Sequence, residues 1–250
     1  MGEMGQAAVL AVAADAQGAG RGRRGRGWVT GASSPIATSL SIFPPLDAAS
    51  SEPPAMQVLT FAARAVAAAP LALLAAVRAV DANAADNLAI KWPNDVYVRS
   101  VGKVAGFLVD CDSDRVTIGL GCNVGRVPRT AEMTVAPASL QDLLPTATAA
   151  RGGPAALRDE LLAHWWTTLI TLMMGEETMT SLTGRLRSSS LLPPGTPILV
   201  HSGPLGVSSP SVEAATVIDW ELDGRLAVQM TKSGEIVKLS GQEVSVRLAD

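Results

Sequence analysis

Short continuous apolar runs, separated by glycine, proline and polar residues, mark the first half of the chain. AAVLAVAA (7–14) has no helical period and predicts a buried strand, and SLSIF (39–43), closed by Pro44 and Pro45, predicts a second strand. Further strands are predicted at NLAIKW (87–92), YV (97–98), KVAGFLVD (103–110) and VTIGLGCNV (116–124). Tight polar turns separate these runs, as they do between successive strands.

Two longer segments have a helical character. The Ala/Leu-rich stretch from Met56 to Val80 predicts a helix that Pro70 breaks or kinks, because proline removes a backbone donor and clashes one turn back. Residues 126–153 show little periodicity and predict a loop. The segment 154–174 predicts an amphipathic helix whose apolar residues recur every three to four positions, at Leu157, Leu161, Trp165, Leu169 and Leu172.

The pattern changes after SSSLLPPG (188–195), which predicts a linker. Five short strands follow, at TPILVHS, AATVIDWE, GRLAVQMT, EIVKLS and EVSVRL. Short strands at regular spacing predict a small β-barrel. The chain is therefore divided into two predicted domains, residues 1–190 and residues 191–250.

Composition restricts the functional classes. The chain has 250 residues, 48% of them hydrophobic and 17% charged, which indicates a globular protein, and its net charge of −3 argues against a broad basic face. Cys111 and Cys122 lie in apolar runs and predict buried, reduced thiols, and two histidines give no zinc-site spacing. The first residues lack a basic region and meet Asp15, so we expect no signal peptide or membrane span and a soluble cytoplasmic protein.

The segment GRGRRGRGW (20–28) carries four arginines within six residues, spaced by glycine and followed by a tryptophan. Glycine lets the backbone approach a ligand closely, and arginine offers permanently charged donors for phosphate or carboxylate. Arginine–glycine repeats also bind RNA, usually as long arrays. Taken alone, this segment is compatible with a nucleic-acid patch or with a loop around a small anion.

Three further motifs follow in the chain. KWPND (91–95) places Lys, Trp, Pro and an Asn-Asp pair at the end of an apolar strand, GKVAGFLVD (102–110) opens a strand with Lys103, and GLGCN (119–123) ends one with glycines and an asparagine. Each has a purely structural explanation: an Asx turn, a lysine whose charged end reaches water, or close backbone packing. Their combination and order carry more information than any one of them.

In that order, the four blocks resemble those of the biotin protein ligases (biotin–[acetyl-CoA-carboxylase] ligases), with a match from about Ala7 to Asp250. GRGRRG and KWPND are the most specific motifs. The resemblance implies an α+β fold in which a mixed sheet flanked by helices, the class II synthetase-like catalytic fold, occupies residues 1–190. It also implies a small SH3-like barrel over residues 191–250 and an enzyme that joins biotin to a carrier lysine through biotinyl-5′-AMP.

The resemblance also implies roles for particular residues. Lys103, Asp95 and Arg21 are the predicted catalytic residues, and the resemblance implies that Lys103 contacts the biotin carboxylate and the adenylate phosphate. The carrier lysine is mostly protonated near neutral pH, so a neighbouring carboxylate can orient it and help take its proton, and Asp95 is the predicted carboxylate. The implied binding residues for biotin and ATP are Gln17, Gly20, Arg21, Gly22, Arg23, Arg24, Trp28, Lys91, Asn94, Lys103, Gly106, Gly121 and Asn123. Mg²⁺ is expected with ATP, without a dedicated metal site.

The implied partner is the biotin carboxyl carrier domain of an acyl-CoA or pyruvate carboxylase, with no nucleic acid and no membrane, and the protein is expected to be a monomer or weak homodimer. Three alternatives stay open. They are a degenerate homologue that binds biotin or its adenylate without transfer, a lipoate or octanoate transferase of related fold, and a nucleic-acid-binding module.

One departure from the family lies upstream of the arginine segment. Family members normally carry a Ser/Thr-Thr-Asn or Ser/Thr-Thr-Gln segment some twenty residues earlier, and it supplies hydroxyl contacts to the biotin ring. Only MGEMGQAAVLAVAADAQGA precedes Gly20. The expectation is a start codon assigned too late, or else a truncated and impaired enzyme; a preceding helix-turn-helix module, and hence direct DNA binding, is not expected.

Overall fold

The structure, a computed structural model, describes residues 8–22, 27–28, 34–130, 133, 135–202, 211–241 and 244–249. Its main element is a six-stranded sheet with the strand order β1-β4-β8-β7-β6-β5. The strands are β1 (Ala8–Ala14), β4 (Ile36–Phe43), β5 (Leu88–Lys91), β6 (Asp95–Val98), β7 (Gly102–Cys111) and β8 (Val116–Cys122). β2 (Gly20–Arg21) and β3 (Gly27–Trp28) form a separate hairpin. The strands predicted from the apolar runs are confirmed.

The neighbouring strands of this sheet all pair antiparallel. Parallel pairing is confined to two isolated bridges of the described residues, Ile90 with Ser190 and Lys103 with Pro137. Among the described residues, parallel pairing in the sheet that was predicted to be mixed is therefore limited to these two bridges. The predicted α+β class is confirmed.

Two long helices, α1 (Pro54–Val80) and α5 (Pro154–Met174), pack against each other beside the sheet. The predicted break at Pro70 does not occur, because α1 continues through this residue, and the alternative of a kink there stays a prediction. Proline inside a helix costs about 3 kcal/mol. Pro70 and its neighbours Ala69 and Leu71 are all buried, so the packing of this stretch offsets that cost.

By length and composition α1 could span a membrane, but more than half of its most apolar stretch is buried within the fold. That distribution is typical of a core helix. The apolar periodicity of α5 is confirmed, since Leu157, Leu161, Trp165 and Leu169 are buried in the common core.

The described residues also form four shorter helices: α2 (Ala82–Ala85), α3 (Leu140–Leu143), α4 (Pro145–Ala150) and α6 (Met179–Ser188). Three of them begin at a side chain that accepts a hydrogen bond from a backbone amide of the first turn, which satisfies one of the free donors there. These capping residues are Asp81, Ser139 and Thr178. The prediction of a loop throughout 126–153 is wrong in part, because α3 and α4 lie within it.

The residues predicted as a linker are instead attached to the sheet. The Ile90 amide donates to Ser189 O at 2.8 Å, and the Leu191 amide donates to Ile90 O at 2.8 Å. Leu192 is fully buried. This packing covers the free edge of β5.

The C-terminal part forms a five-stranded antiparallel sheet with the order β12-β11-β10-β9-β13. Its strands are β9 (Pro197–Ser202), β10 (Ser211–Trp220), β11 (Leu226–Met230), β12 (Ile236–Leu239) and β13 (Val244–Leu248). All five predicted strands are confirmed, while the SH3-like barrel stays a prediction. Arg187 of α6 binds this sheet through an ion pair with Asp219 (2.7 Å) and a hydrogen bond to Trp220 O.

Two predictions of burial are wrong. Every residue of β1 is exposed, although its apolar run predicted a buried strand, because β1 is an edge strand that pairs only with β4. Cys111 is exposed at the end of β7, whereas Cys122 is buried as predicted, and burial raises the pKa of its thiol.

Candidate ligand-binding cleft

One face of the six-stranded sheet forms the floor of a cleft of about 1080 Å³. Small-molecule sites usually measure ~300–1,000 Å³, so this cleft is slightly larger than that range. Side chains alternate between the two faces of a strand. On β8 this places Val116, Ile118 and Leu120 in the core and leaves Gly119 and Gly121 at the cleft. Glycines at these positions make the floor flat.

Most of the predicted site residues that the structure describes lie around this cleft: Gln17, Arg21, Gly22, Trp28, Lys91, Asn94, Asp95, Lys103, Gly106, Gly121 and Asn123. Gly20 does not line it but pairs with Trp28 in the β2–β3 hairpin. Arg23 and Arg24 lie outside the described residues. The antiparallel sheet therefore brings together motifs that are separated by up to a hundred positions in the chain.

Lys103 and Asp95 form an ion pair on the cleft floor. Lys103 Nζ lies 2.7 Å from Asp95 Oδ1, and each side chain is about one quarter exposed. The same ammonium lies 5.0 Å from the ring centroid of Trp28, within the range of a cation–π contact. Gly106 leaves room for the pair, since a Cβ there would lie 3.1 Å from Lys103 Nζ. The neighbouring β6 and β7 strands position these charges.

The hairpin β2–β3 places Trp28 on the floor of the cleft. A Cβ at Gly121 would lie 2.8 Å from Trp28 Cε2, and a Cβ at Gly20 would lie 2.4 Å from Trp28 O. Real Cβ atoms do not approach so closely, so both glycines are needed for this placement. Trp28 Nε1 is buried and has no hydrogen-bond partner in the described part of the chain.

Asn94 and Asn123 are held by the backbone. The Asn94 side-chain amide donates to Phe107 O, and the Phe107 amide donates to Asn94 O at 2.9 Å. Asn123 is buried, and its Nδ2 donates to Ala138 O at 3.1 Å. Its Oδ1 is also buried and has no hydrogen-bond partner among the described residues. Asn123 is therefore a cleft-lining residue with a fixed acceptor that no described residue satisfies.

A segment that the sequence did not reveal holds the main chain of Lys103. The Lys103 amide donates to Ala136 O at 2.9 Å, and the Ala138 amide donates to Lys103 O at 2.8 Å. A Cβ at Gly102 would lie 2.1 Å from Ala136 O, so only glycine permits this approach. Val135 and Pro137 of this segment line the cleft.

The C-terminal sheet contributes the other residues that sequence reasoning missed. Ser245 and Arg247 of β13 line the cleft. Burial lowers the pKa of His201 on the neighbouring strand β9, and the positive charges of Arg247 and Lys91 lower it further. Nothing local distinguishes Arg247 from a surface arginine of a strand, because its position depends on how the two sheets pack.

Tyr97 on β6 is a further missed residue. It lines the cleft, and Lys91 Nζ lies 5.4 Å from its ring centroid. As the one tyrosine of the chain, two residues after KWPND, it could have been recognised from the sequence. Across the described ranges, no three His, Cys, Asp or Glu side chains come together as a metal-binding group.

Biotin protein ligases are among the solved structures that share this fold. The Aquifex aeolicus enzyme in complex with biotin and ATP aligns with a TM-score of 0.64 at 22% identity, over 96% of this chain and 89% of that chain. The Leishmania major enzyme in complex with biotinyl-5-AMP aligns with a TM-score of 0.54 at 22% identity, over 93% and 89% of the two chains. The fold is therefore that of a biotin protein ligase.

Sequence matches agree with the fold. The family model described as "Biotin/lipoate A/B protein ligase family" matches residues 5–123. Biotin–[acetyl-CoA-carboxylase] ligases of Mycobacterium tuberculosis and Paracoccus denitrificans are 33% and 37% identical over 123 and 127 residues. These matches span 48% and 47% of this chain, and 41% and 45% of the relatives' lengths. Residues 5–123 therefore match the model of this family, and the predicted resemblance is confirmed.

Proposed function

We propose that the protein is a biotin protein ligase, which joins biotin to a lysine of a carrier domain through biotinyl-5′-AMP. The observation that carries the proposal is the Lys103–Asp95 ion pair beside Trp28, on the glycine floor of a cleft that Arg21 and Lys91 also line. Such a cleft offers fixed cations for an anionic acyl phosphate and a carboxylate for an incoming amine.

In the first step, a biotin carboxylate oxygen attacks the α-phosphorus of ATP, and the bond to the pyrophosphate oxygen breaks. Two anions repel each other unless fixed positive charges offset the repulsion. Arg21, Lys91 and Lys103 supply such charges from three different elements. In this scheme Lys103 contacts the reacting carboxylate and the α-phosphate. The segment around Ala136 fixes its main chain.

The nucleotide binds at the Asn94–Asn123 side of the cleft in this proposal. Asn123 Oδ1 is a buried acceptor without a partner in the described residues, so a donor of the nucleotide, such as a ribose hydroxyl, satisfies it. Gln17, Gly22 and Arg21 also line the cleft. Trp28 packs against the acyl chain and keeps water from the mixed anhydride.

In the second step, the amine of the carrier lysine attacks the acyl carbon, and the bond to the AMP oxygen breaks. A lysine amine has an ordinary pKa of ~10.4 and is mostly protonated near neutral pH. Asp95 orients the incoming ammonium and accepts its proton once Lys103 contacts the adenylate phosphate instead. The 2.7 Å pair of Lys103 and Asp95 would then exchange partners during the reaction.

The remaining parts of the proposal follow from this chemistry. ATP enters as its Mg²⁺ complex, with phosphate and water oxygens holding most of the ion. The partner is a biotin carboxyl carrier domain of an acyl-CoA or pyruvate carboxylase in the cytoplasm. Residues 1–190 form the catalytic domain, and residues 191–250 form an SH3-like domain that contributes Arg247 to the cleft.

Transfer of labelled biotin to a purified carrier domain, with ATP and Mg²⁺, tests the proposal. The intact chain is expected to label the carrier lysine and to release pyrophosphate. Lys103→Ala is expected to lower adenylate formation about 10²–10³-fold, as loss of one oriented donor does at other charged transition states.

Lys232→Ala is the matched control, because Lys232 is exposed in the turn after β11 and is not among the residues that line the cleft. Equal activity of Lys103→Ala and Lys232→Ala would contradict the role of Lys103. Pyrophosphate release without labelling of any carrier would support adenylation alone. Biotin binding without pyrophosphate release would identify a binding protein instead.

A further inference from the structure

Tyr97 lines the cleft from β6 and lies directly opposite Lys103 of β7. A bulge in β7 makes this pairing possible, because the register skips Val104 between the partners of Val96 and Tyr97. Val104 and the next residue, Ala105, are both fully buried, which leaves Lys103 on the cleft side of the strand. Tyr97 is therefore a large aromatic residue of the cleft that neither proposed reaction step uses.

The side chain of Lys91 runs diagonally from β5 to Tyr97. In the register of β5 and β6, Lys91 faces Asp95. Its ammonium lies 5.4 Å from the ring centroid of Tyr97, two positions further along β6. Diagonal neighbours on one face of a sheet are about 7–8 Å apart, which is within reach of long side chains. The cation–π contact therefore sets the direction of the Lys91 side chain.

The Lys91 ammonium lies near other positive charge at the C-terminal sheet. The pKa of His201 on β9 is lowered first by burial and then by the positive charges of Arg247 and Lys91. Arg247 lines the cleft from β13, the strand beside β9. Because like charges repel, holding Lys91 at this end of the cleft requires an attractive contact. The ring of Tyr97 supplies one.

An aromatic ring holds an ammonium differently from a carboxylate. The ring attracts the cation through its quadrupole and adds no negative charge. A carboxylate partner offsets the positive charge of the lysine, as Asp95 does for Lys103 at 2.7 Å. A lysine held by a ring therefore keeps its charge for an incoming anion.

We propose that Tyr97 is a positioning residue for adenylate formation, and that its ring holds the Lys91 ammonium in the cleft without neutralising it. The inference rests on the proposed function, in which Lys91 supplies one of the charges that offset the repulsion between the acid and ATP. Tyr97 acts through Lys91 and takes no part in the bond changes. Without the ring, the Lys91 ammonium can turn to Asp95, which lies directly opposite it in the register.

Pyrophosphate release with biotin and ATP tests the inference in wild type, Tyr97→Phe and Tyr97→Leu. Tyr97→Leu is expected to lower kcat/KM for ATP about 5- to 30-fold, the rate equivalent of one cation–π contact, and to leave the KM for biotin unchanged. Tyr97→Phe keeps the ring and is expected to retain most of the activity. Equal losses in the two variants would assign the effect to the phenol hydroxyl and would overturn the inference.

A double-mutant cycle shows whether Tyr97 acts through Lys91. In a Lys91→Gln background the ring has no ammonium to hold, so Tyr97→Leu is expected to cause no further loss of adenylate formation. Losses that multiply in the double variant would show that Tyr97 acts independently of Lys91, which would also overturn the inference.

Phe61→Leu is the matched control, because Phe61 is a partly buried ring of α1 that packs against the core and is not among the cleft-lining residues. It is expected to leave kcat/KM for ATP unchanged. If wild type forms the adenylate and Tyr97→Leu behaves like Phe61→Leu, the role of Tyr97 is wrong and the ligase proposal stands. If wild type forms no adenylate with biotin, the ligase proposal fails, and the inference fails with it.

Discussion

The indole Nε1 of Trp92 donates a hydrogen bond to the carbonyl oxygen of Gly224 at 2.9 Å, across 132 positions of the chain. Trp92 lies in the KWPND turn and is 2% exposed, and Gly224 lies in the turn between β10 and β11. The turn that carries Asn94 and Asp95 is therefore attached directly to the C-terminal sheet. Through this contact, the C-terminal sheet can hold the KWPND turn in position at the cleft.

Trp92→Phe removes the donor and keeps most of the ring. We expect the free energy of unfolding to fall by about 1 kcal/mol, the net value of one hydrogen bond, and biotin transfer to fall as Asp95 loses its fixed position. Urea denaturation and the transfer assay measure the two effects. Trp166→Phe is the matched control, because Trp166 Nε1 is buried without a partner in the described structure. Equal changes in both variants would contradict the positioning role.

The sequence predicted the strands and most cleft residues because both depend on local pattern. The apolar runs bounded by glycine and proline corresponded to β4 to β8, and the specific motifs lay at the ends of these strands. Once strands 5 to 8 pair in order, their motifs must meet on one face. Local sequence pattern and simple antiparallel connections were therefore sufficient to predict this part of the site.

The errors concern features that depend on distant contacts. The composition of β1 gave no sign that the strand would lie at the edge of the sheet, with its side chains exposed. Pro70 stays helical because the surrounding core is tightly packed. The contacts of Ala136 with Lys103 and the placement of Arg247 depend on loop and sheet packing, for which the sequence carries no periodic signal.

Substitution by alanine is expected to have different effects at two glycines of β8, Gly119 and Gly121. A Cβ at Gly119 would meet Leu108 Cβ at 3.7 Å, an ordinary contact, whereas a Cβ at Gly121 would lie 2.8 Å from Trp28 Cε2. We expect Gly119→Ala to change stability by less than about 0.5 kcal/mol but to raise the KM for biotin, because the methyl group enters the cleft. Thermal unfolding and steady-state kinetics measure the two quantities.

Gly121→Ala must displace the Trp28 indole. A displacement near 1 Å in a reacting site can lower the rate about 10²-fold, so we expect kcat to fall more in this variant than in Gly119→Ala. The change in Trp28 environment can be followed by ultraviolet difference spectra of the two variants. A Gly121→Ala protein with wild-type kcat would show that Trp28 has no part in the reaction.

The contact of Gly102 with Ala136 predicts that the segment 135–138 holds the main chain of Lys103 in position. Gly102→Ala places a Cβ 2.1 Å from Ala136 O and must push the segment away from β7. We expect lower adenylate formation together with faster hydrogen exchange of the Lys103 and Ala138 amides, whose partners are lost. Mass spectrometry of exchanged peptides measures this, with Gly184→Ala as control, since a Cβ there meets nothing within 4 Å. Unchanged exchange at both amides would contradict the prediction.

His201 predicts a pH dependence of stability. Its pKa lies below the ordinary value of 6.5, because of burial and then because of the charges of Arg247 and Lys91. In the unfolded chain, His201 therefore binds a proton near pH 6.5, a pH at which the imidazole of the folded protein is still mostly neutral. The contribution of His201 to the free energy of unfolding is complete above about pH 6.5 and is lost as the pH falls through the folded-state pKa.

His201→Gln removes this titration, so the loss of stability between about pH 7.5 and about pH 5.5 should be smaller in the variant than in wild type. Urea denaturation at the two pH values measures it. Arg247→Gln removes a neighbouring positive charge and should raise the pKa of His201, which a proton NMR titration of the imidazole follows directly. Because burial is the larger cause, the pKa should stay below 6.5 in Arg247→Gln. An imidazole that titrates identically with and without Arg247 would contradict the placement of β13 beside His201.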